Sequence, residues 1–164
     1  MIGAVIFDLD GTLINLPIDY EKLFQRFKKI MKRNDVTPLT KTISGLDEKT
    51  RNRVFEVWQD AELAVFRDMT VNNEGVSLYR KFARKPRVLV TMQGKVLVQR
   101  ALKSLDLSFD YEVTREDSLD RVQQIKIAIE RLKTDFQSVL FVGNTEGDLL
   151  AAQEVKCQFL GVGK

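Results

Sequence analysis

The sequence predicts an α/β protein: a parallel β-sheet with helices on its faces, interrupted near its start by an all-helical insert. Three observations carry this. Five short apolar runs, at residues 2–7, 88–91, 109–114, 139–142 and 157–162, read as strands, the first two as strands buried on both faces. From Arg87 onward helical periodicity separates these runs, and strands alternating with helices imply right-handed crossovers and parallel pairing. Between residues 17 and 85 the strand pattern is missing and apolar residues recur only at helical spacing.

Residues 2–7 are rich in β-branched side chains, and Asp8, Asp10 and Gly11 follow at the end of the run. Asp8 lies between Phe7 and Leu9. A lone carboxylate in that company is costly to desolvate unless a positive charge meets it. No basic residue is near in sequence. Hard cations take carboxylate and carbonyl oxygens, so a metal ion is expected there. An Asp-Gly turn would account for Asp10 and Gly11 but not for Asp8, and residues 12–16 do not alternate as a return strand.

The insert opens with Tyr20, Leu23, Phe24, Phe27, Ile30 and Met31 at helical spacing, with Asp19 as a cap. Residues 36–45, with Pro38, several threonines and Gly45, read as a loop. A second helix over about 47–69 places Val54, Val57, Trp58, Ala61, Ala64 and Val65 on one face. Asn72 and Asn73 break it, and Val76, Tyr79, Phe82 and Ala83 mark a third, shorter helix. Pro17 and Pro86 bound the insert. Beyond it, Thr91 ends the second strand and Gly94 opens a helix running to about 105. Residues 119–132 form a helix with Val122, Ile125, Ile129 and Leu132 on one face. The fourth strand ends at Gly143, and residues 149–155 are helical. In such sheets ligands bind at the carboxyl ends of the strands, where Asp8, Thr91 and Asn144 all fall.

The 164 residues include no histidine and one cysteine, Cys157. Ser-His-Asp and Cys-His nucleophile systems, His-ligated zinc and an internal disulfide are thereby excluded. Any catalysis rests on carboxylates, Lys or Arg, and hydroxyls. A net charge of +3 is too small to argue for nucleic acid, and no apolar stretch approaches a membrane span. The first apolar run has no basic segment before it and is interrupted at Asp8, so it is not expected to be a signal peptide. A cytoplasmic location fits the single cysteine. Lys28, Lys29, Lys32 and Arg33, and then Arg80, Lys81, Arg84, Lys85 and Arg87, read as solvated helix faces. The alternative is a rim that attracts an anionic substrate.

The run Phe7-Asp8-Leu9-Asp10-Gly11-Thr12-Leu13 resembles the first motif of the haloacid dehalogenase superfamily. Most members of that superfamily are magnesium-dependent phosphatases acting through an aspartyl-phosphate. The resemblance implies that Asp8 is the nucleophile and a magnesium ligand. It implies that Asp10 is the acid–base, with its backbone carbonyl also on the metal. Gly11 and Thr12 would let backbone amides approach a phosphoryl group. An Asp at the second position resembles the phosphatase and phosphotransferase branches. Thr91 matches the second motif, whose hydroxyl holds phosphoryl oxygens, with Gln93 beside it in the expected phosphate site. The third motif asks for a Lys or Arg. Arg121 occupies its place without the usual Lys-Pro pair, and Lys126 is the alternative. The fourth motif reads Gly143-Asn144-Thr145-Glu146-Gly147-Asp148: Asn144 stands where the superfamily has an acid, and Asp148 is retained. Both complete the implied Mg2+ set, which the neutral Asn144 weakens. Thr145 and Asp148 also have the spacing of a capping box.

The resemblance therefore implies a Rossmann-like catalytic core, residues 1–16 and 86–164, with a small helical cap, residues 17–85, closing over the site. The expected protein is a magnesium-dependent phosphatase of a small phosphorylated metabolite, without nucleic-acid or membrane partners. Two other readings stay open. One is a non-catalytic or regulatory domain, motivated by Asn144. The other is a phosphotransferase such as a sugar phosphomutase, which shares the same residues.

Overall fold

Apolar runs with no polar alternation suit strands covered on both faces. In the computed structural model, which describes residues 1–163, they form β1 (Ala4–Phe7), β4 (Arg87–Val90), β5 (Tyr111–Val113), β6 (Val139–Gly143) and β7 (Gln158–Gly161). These pair in parallel in the order β5-β4-β1-β6-β7. The most buried strands, β1 and β6, lie side by side, with Phe7 opposite Val142. The chain builds one half of the sheet outward from β1 and then returns to build the other. The carboxyl end of β1 is thus the switch point at which such sheets open a crevice.

Four helices cover the two faces. On one side α6 (Arg121–Leu132) and α7 (Glu146–Val155) pack Ile125, Ile129 and Val155 against Ile6, Val88, Val90 and Phe141. On the other, α4 (Asn73–Lys81) and α5 (Lys95–Leu105) pack Val76, Tyr79, Leu97 and Ala101 against Val5, Phe7, Leu89 and Val142. The remaining helices, α1 (Tyr20–Met31), α2 (Leu39–Ser44) and α3 (Glu48–Ala64), enclose a separate apolar cluster of Leu23, Phe27, Val36, Ile43, Val54 and Trp58.

The insert differs from its expected bounds. Helix α4 falls within residues 17–85, yet Val76 and Tyr79 belong to the cluster under β1. Packing therefore changes before Asn73 rather than at Pro86. A two-residue strand pair marks the change: β2 (Ile14–Asn15) lies antiparallel to β3 (Thr70–Val71). No strand was expected there, because two residues carry no periodicity. Asn72 does not simply break a helix. It caps α4, its Oδ1 accepting from Gly75 N, while its Nδ2 donates to Gly163 O at 2.8 Å. Gly75 lets α4 lie directly on the backbone of Thr12, whose carbonyl oxygen a Cβ would overlap. Part of the expected loop at 36–45 is helical, as α2, with Ile43 fully buried. The second helix is α3, which stops at Ala64 ahead of a short 3-10 turn.

Candidate active site

The site grows from the turn after β1. Gly11 adopts φ +82°, which a side-chain-bearing residue rarely accepts, and closes a tight turn. In that turn Leu9 O accepts from the amides of Thr12, Leu13 and Ile14, and Gly11 N donates to Ile14 O. The amides of Gly11 and Thr12 are thus engaged within the turn, not directed at a ligand as expected. Gly11 still lines the site cavity. Thr12 is fully buried, and its hydroxyl lies 3.4 Å from Asn144 Oδ1, to which it donates.

Two other strand ends and the N-terminus of α6 converge on Asp8. Thr91, just past β4, is buried, and its Oγ1 accepts from Gln93 N at 3.0 Å, which leaves the hydroxyl proton to donate elsewhere. Asp120 caps α6 by accepting from the amides of Val122 and Gln123, which puts Arg121 at the first helical position. From there Arg121 Nη2 reaches Asp8 Oδ1 at 3.3 Å and Nε reaches Asp148 Oδ1 at 3.1 Å. Lys126, the alternative cation, lies in a different groove beside Lys133 and Phe136. After β6, Thr145 and Asp148 form the capping box of α7. The second oxygen of Asp148 accepts from Asn144 N at 3.1 Å and Thr145 N at 3.3 Å.

Asp8, Asp10, Gly11, Thr91, Gln93, Arg121 and Asn144 share one cavity of about 690 Å³. Asp148, expected on the metal, does not line it. Both of its oxygens are engaged, one by Arg121 and the other by the α7 turn, so it orients the guanidinium from behind. Asp10 Oδ1 accepts from Leu16 N at 2.9 Å, and Asp10 lines the cavity. Among the described residues no three Asp, Glu, His or Cys side chains converge on one point.

Asp8 is 5% exposed. Burial pushes its carboxyl up to about 7; the Arg121 guanidinium pulls against this, and the Asp148 and Asp10 carboxylates add to it. Among the described residues two carboxylates, Asp8 and Asp148, share the one Arg121 guanidinium.

Several site residues were not identified from the sequence. Gln124 is fully buried: its Oε1 accepts from Arg121 Nη1 at 2.7 Å, and its Nε2 donates to Thr91 O at 2.8 Å and Ser118 O at 2.9 Å. It ties the cation to the Thr91 loop. Its one sequence signal is a polar residue four before Ala128 on the buried face of α6. Tyr20, read only as an apolar helix position, lines the cavity and meets Gln93 Nε2 at 3.5 Å. Glu62 of α3 and Arg115, in the loop after β5, form a bidentate pair at 2.8 and 2.9 Å. Both side chains are buried, and Glu62 Oε2 also accepts from Gly94 N at 3.1 Å. The pair anchors the insert to the loop that carries Gln93.

The sheet order, the crevice at β1 and the placement of the four motif positions define a protein with the haloacid dehalogenase fold. Among known proteins, a haloacid dehalogenase-like family hydrolase from Streptococcus pneumoniae superposes with a TM-score of 0.70 at 19% identity, covering 98% of this chain and 84% of that one. A hydrolase from Pseudomonas syringae gives 0.71 at 20% identity, over 96% of this chain and 82% of that one. A protein of Clostridium perfringens named "Putative pyrophosphatase PpaX" is 26% identical over 182 aligned positions, 99% of this chain and 84% of that protein. No family model matches the chain. Among the described residues no helix is long and apolar enough to cross a membrane.

Proposed function

We propose that the protein is a phosphatase that hydrolyses a small phosphate monoester through a phosphorylated Asp8, with Mg2+ as cofactor. The observation that carries this reading is the meeting of Asp8, Asp10, Thr91 and Arg121 in one cavity, with the buried Asp8 paired to Arg121.

In the first half-reaction an Asp8 carboxylate oxygen attacks phosphorus. The bond from phosphorus to the leaving oxygen breaks, and Asp10 gives that oxygen its proton. The Thr91 hydroxyl and the Arg121 guanidinium hold the phosphoryl oxygens as charge develops on them. In the second half-reaction Asp10 takes a proton from water as the water attacks phosphorus, and Asp8 departs as the carboxylate. Asp148 and Gln124 keep Arg121 aimed throughout.

The residues fit a magnesium ion. The Asp8 carboxylate, the Asp10 carbonyl and the Asn144 amide oxygen are hard donors, and the buried Asp8 carboxylate, with the Asp148 and Asp10 carboxylates close by, favours a divalent ion. Such an ion would offset phosphoryl charge. Asn144 supplies a neutral oxygen, so the substrate phosphate completes much of the charge. The helical cap, spanning the residues between β2 and β3 and anchored by Glu62, is the proposed substrate-selecting element. A cytoplasmic location belongs to the same reading.

The test is release of inorganic phosphate from p-nitrophenyl phosphate, with and without magnesium, by the intact protein and by Asp8→Asn. Turnover should require both Asp8 and magnesium. Comparable turnover by Asp8→Asn would end this reading, and transfer of the phosphoryl group to a second sugar without release would favour a phosphotransferase.

A further inference from the structure

The cavity lining is chemically mixed. Asp8, Thr91, Arg121 and Asn144 meet the transferred phosphoryl in the proposed reaction. Asn15, Tyr20, Thr70 and Gln93 add further polar lining, and Ile18 and Met92 add apolar lining. Arg121 is the one cation among the described residues lining the cavity. Its three nitrogens are engaged by Asp8, Asp148 and Gln124. The Lys28–Lys29–Lys32–Arg33 cluster lines a separate groove of about 440 Å³ that shares no residue with this one. A second anion on the substrate would enter a cavity whose one described lining cation, Arg121, already meets Asp8 and Asp148, and desolvating an unpaired charge is strongly unfavourable.

The polar lining at Tyr20 and Gln93 makes a more specific demand. Gln93 is 4% exposed, and its Oε1 has no hydrogen-bond partner. Its Nε2 points to the Tyr20 oxygen at 3.5 Å, so the Tyr20 proton is directed elsewhere. Burial, the largest influence on the Tyr20 phenol, raises its pKa and keeps it a donor. The two residues thus present one buried acceptor and one donor side by side. A hydroxyl answers both, accepting from Tyr20 and donating to Gln93 Oε1. A carboxylate or second phosphate has nothing to donate, and would set its charge against that oxygen.

We infer that the substrate is a phosphate monoester of a neutral, hydroxyl-bearing compound, a polyol or sugar, whose hydroxyl is held between Tyr20 and Gln93. This rests on the phosphatase reading and narrows it. It also separates this chain from what the name of its Clostridium perfringens relative describes, since pyrophosphate carries a second anion.

The experiment compares kcat/KM of the intact protein with magnesium across four compounds: p-nitrophenyl phosphate, sorbitol 6-phosphate, 2-phosphoglycolate and pyrophosphate. Sorbitol 6-phosphate should exceed both anionic compounds by at least about tenfold. Tyr20→Phe and Gln93→Met should each bring that ratio down, chiefly through KM for sorbitol 6-phosphate. Gln93→Lys should raise turnover of 2-phosphoglycolate. Pyrophosphate or 2-phosphoglycolate matching or exceeding sorbitol 6-phosphate, while p-nitrophenyl phosphate is still hydrolysed, would overturn the inference and leave the phosphatase reading standing. No hydrolysis of any of the four would remove both.

Discussion

Removing the guanidinium from the Glu62–Arg115 pair, as in Arg115→Met, should be among the most damaging single changes outside the apolar core. The two side chains are 0% and 1% exposed and joined by bonds of 2.8 and 2.9 Å, and the guanidinium stacks 4.4 Å from the centroid of Trp58. Without Arg115, Glu62 keeps only the Gly94 amide. Breaking a buried pair in this way costs about 3–5 kcal/mol, against a total of about 5–15 kcal/mol for an ordinary domain. The loss should depend on pH. Burial raises the Glu62 pKa even against the opposing pull of Arg115, and without Arg115 it rises further. A raised carboxyl pKa means that the folded state holds the proton more tightly than the unfolded chain. The variant's stability therefore falls as pH climbs from about the unfolded value near 4.5 through the folded one. Urea unfolding at pH 5 and pH 8 reads this directly, with the larger deficit expected at pH 8. The double variant Glu62→Leu/Arg115→Met should be more stable than Arg115→Met alone, because it no longer buries an unpaired charge. A deficit under about 1 kcal/mol at pH 8, or costs in the double variant that simply add, would refute this account of the pair.

Asp8 illustrates a conflict between function and stability. Its carboxyl is raised from 3.8 to about 7, so without divalent metal it lowers stability as pH rises through that window, by at most about 4 kcal/mol. Asp8→Asn should abolish hydrolysis yet raise the metal-free Tm at pH 8 more than at pH 5; an unchanged Tm at both would show that Asp8 carries no buried-charge penalty. Asp10→Asn should slow hydrolysis of esters with poor leaving groups by about 10²–10⁴-fold, read as kcat, and an unaltered kcat on such esters would remove Asp10 from proton transfer. Asn144→Asp should lower the half-saturating magnesium concentration without altering the circular dichroism spectrum, since it adds a charged oxygen beside Gly11 and Thr12. No fall in that concentration would mean that position 144 does not meet the ion.

The amino-acid sequence by itself determined whatever is written locally. The uninterrupted apolar run ending in Asp8-Leu9-Asp10-Gly11 specifies a buried strand with two acids at its end, because burial on both faces needs no partner beyond the flanking layers. Alternation of strand and helix after Arg87 specifies a parallel sheet, and parallel pairing brings the strand ends, with Thr91 and Asn144, toward Asp8. Arg121 was legible as the best match for the cation, with Lys126 as the alternative. One helix carries both, and only its docking angle turns Arg121 to Asp8 and Lys126 away. The rest was decided by the tertiary structure. Glu62 and Arg115 are 53 residues apart, each set among ordinary charged neighbours. A charge destined for a buried pair looks the same in sequence as one bound for water, because its partner is chosen only when the elements meet. The same holds for Gln124, whose partners include Arg121 on its own helix and Thr91 and Ser118 from two other segments, and for Asp148, which its own helix cap and Arg121 draw out of the cavity. Helix α4 was assigned to the insert because periodicity reports that a helix has an apolar face, not which cluster receives it. The contact of Gly75 with the Thr12 backbone places it under β1.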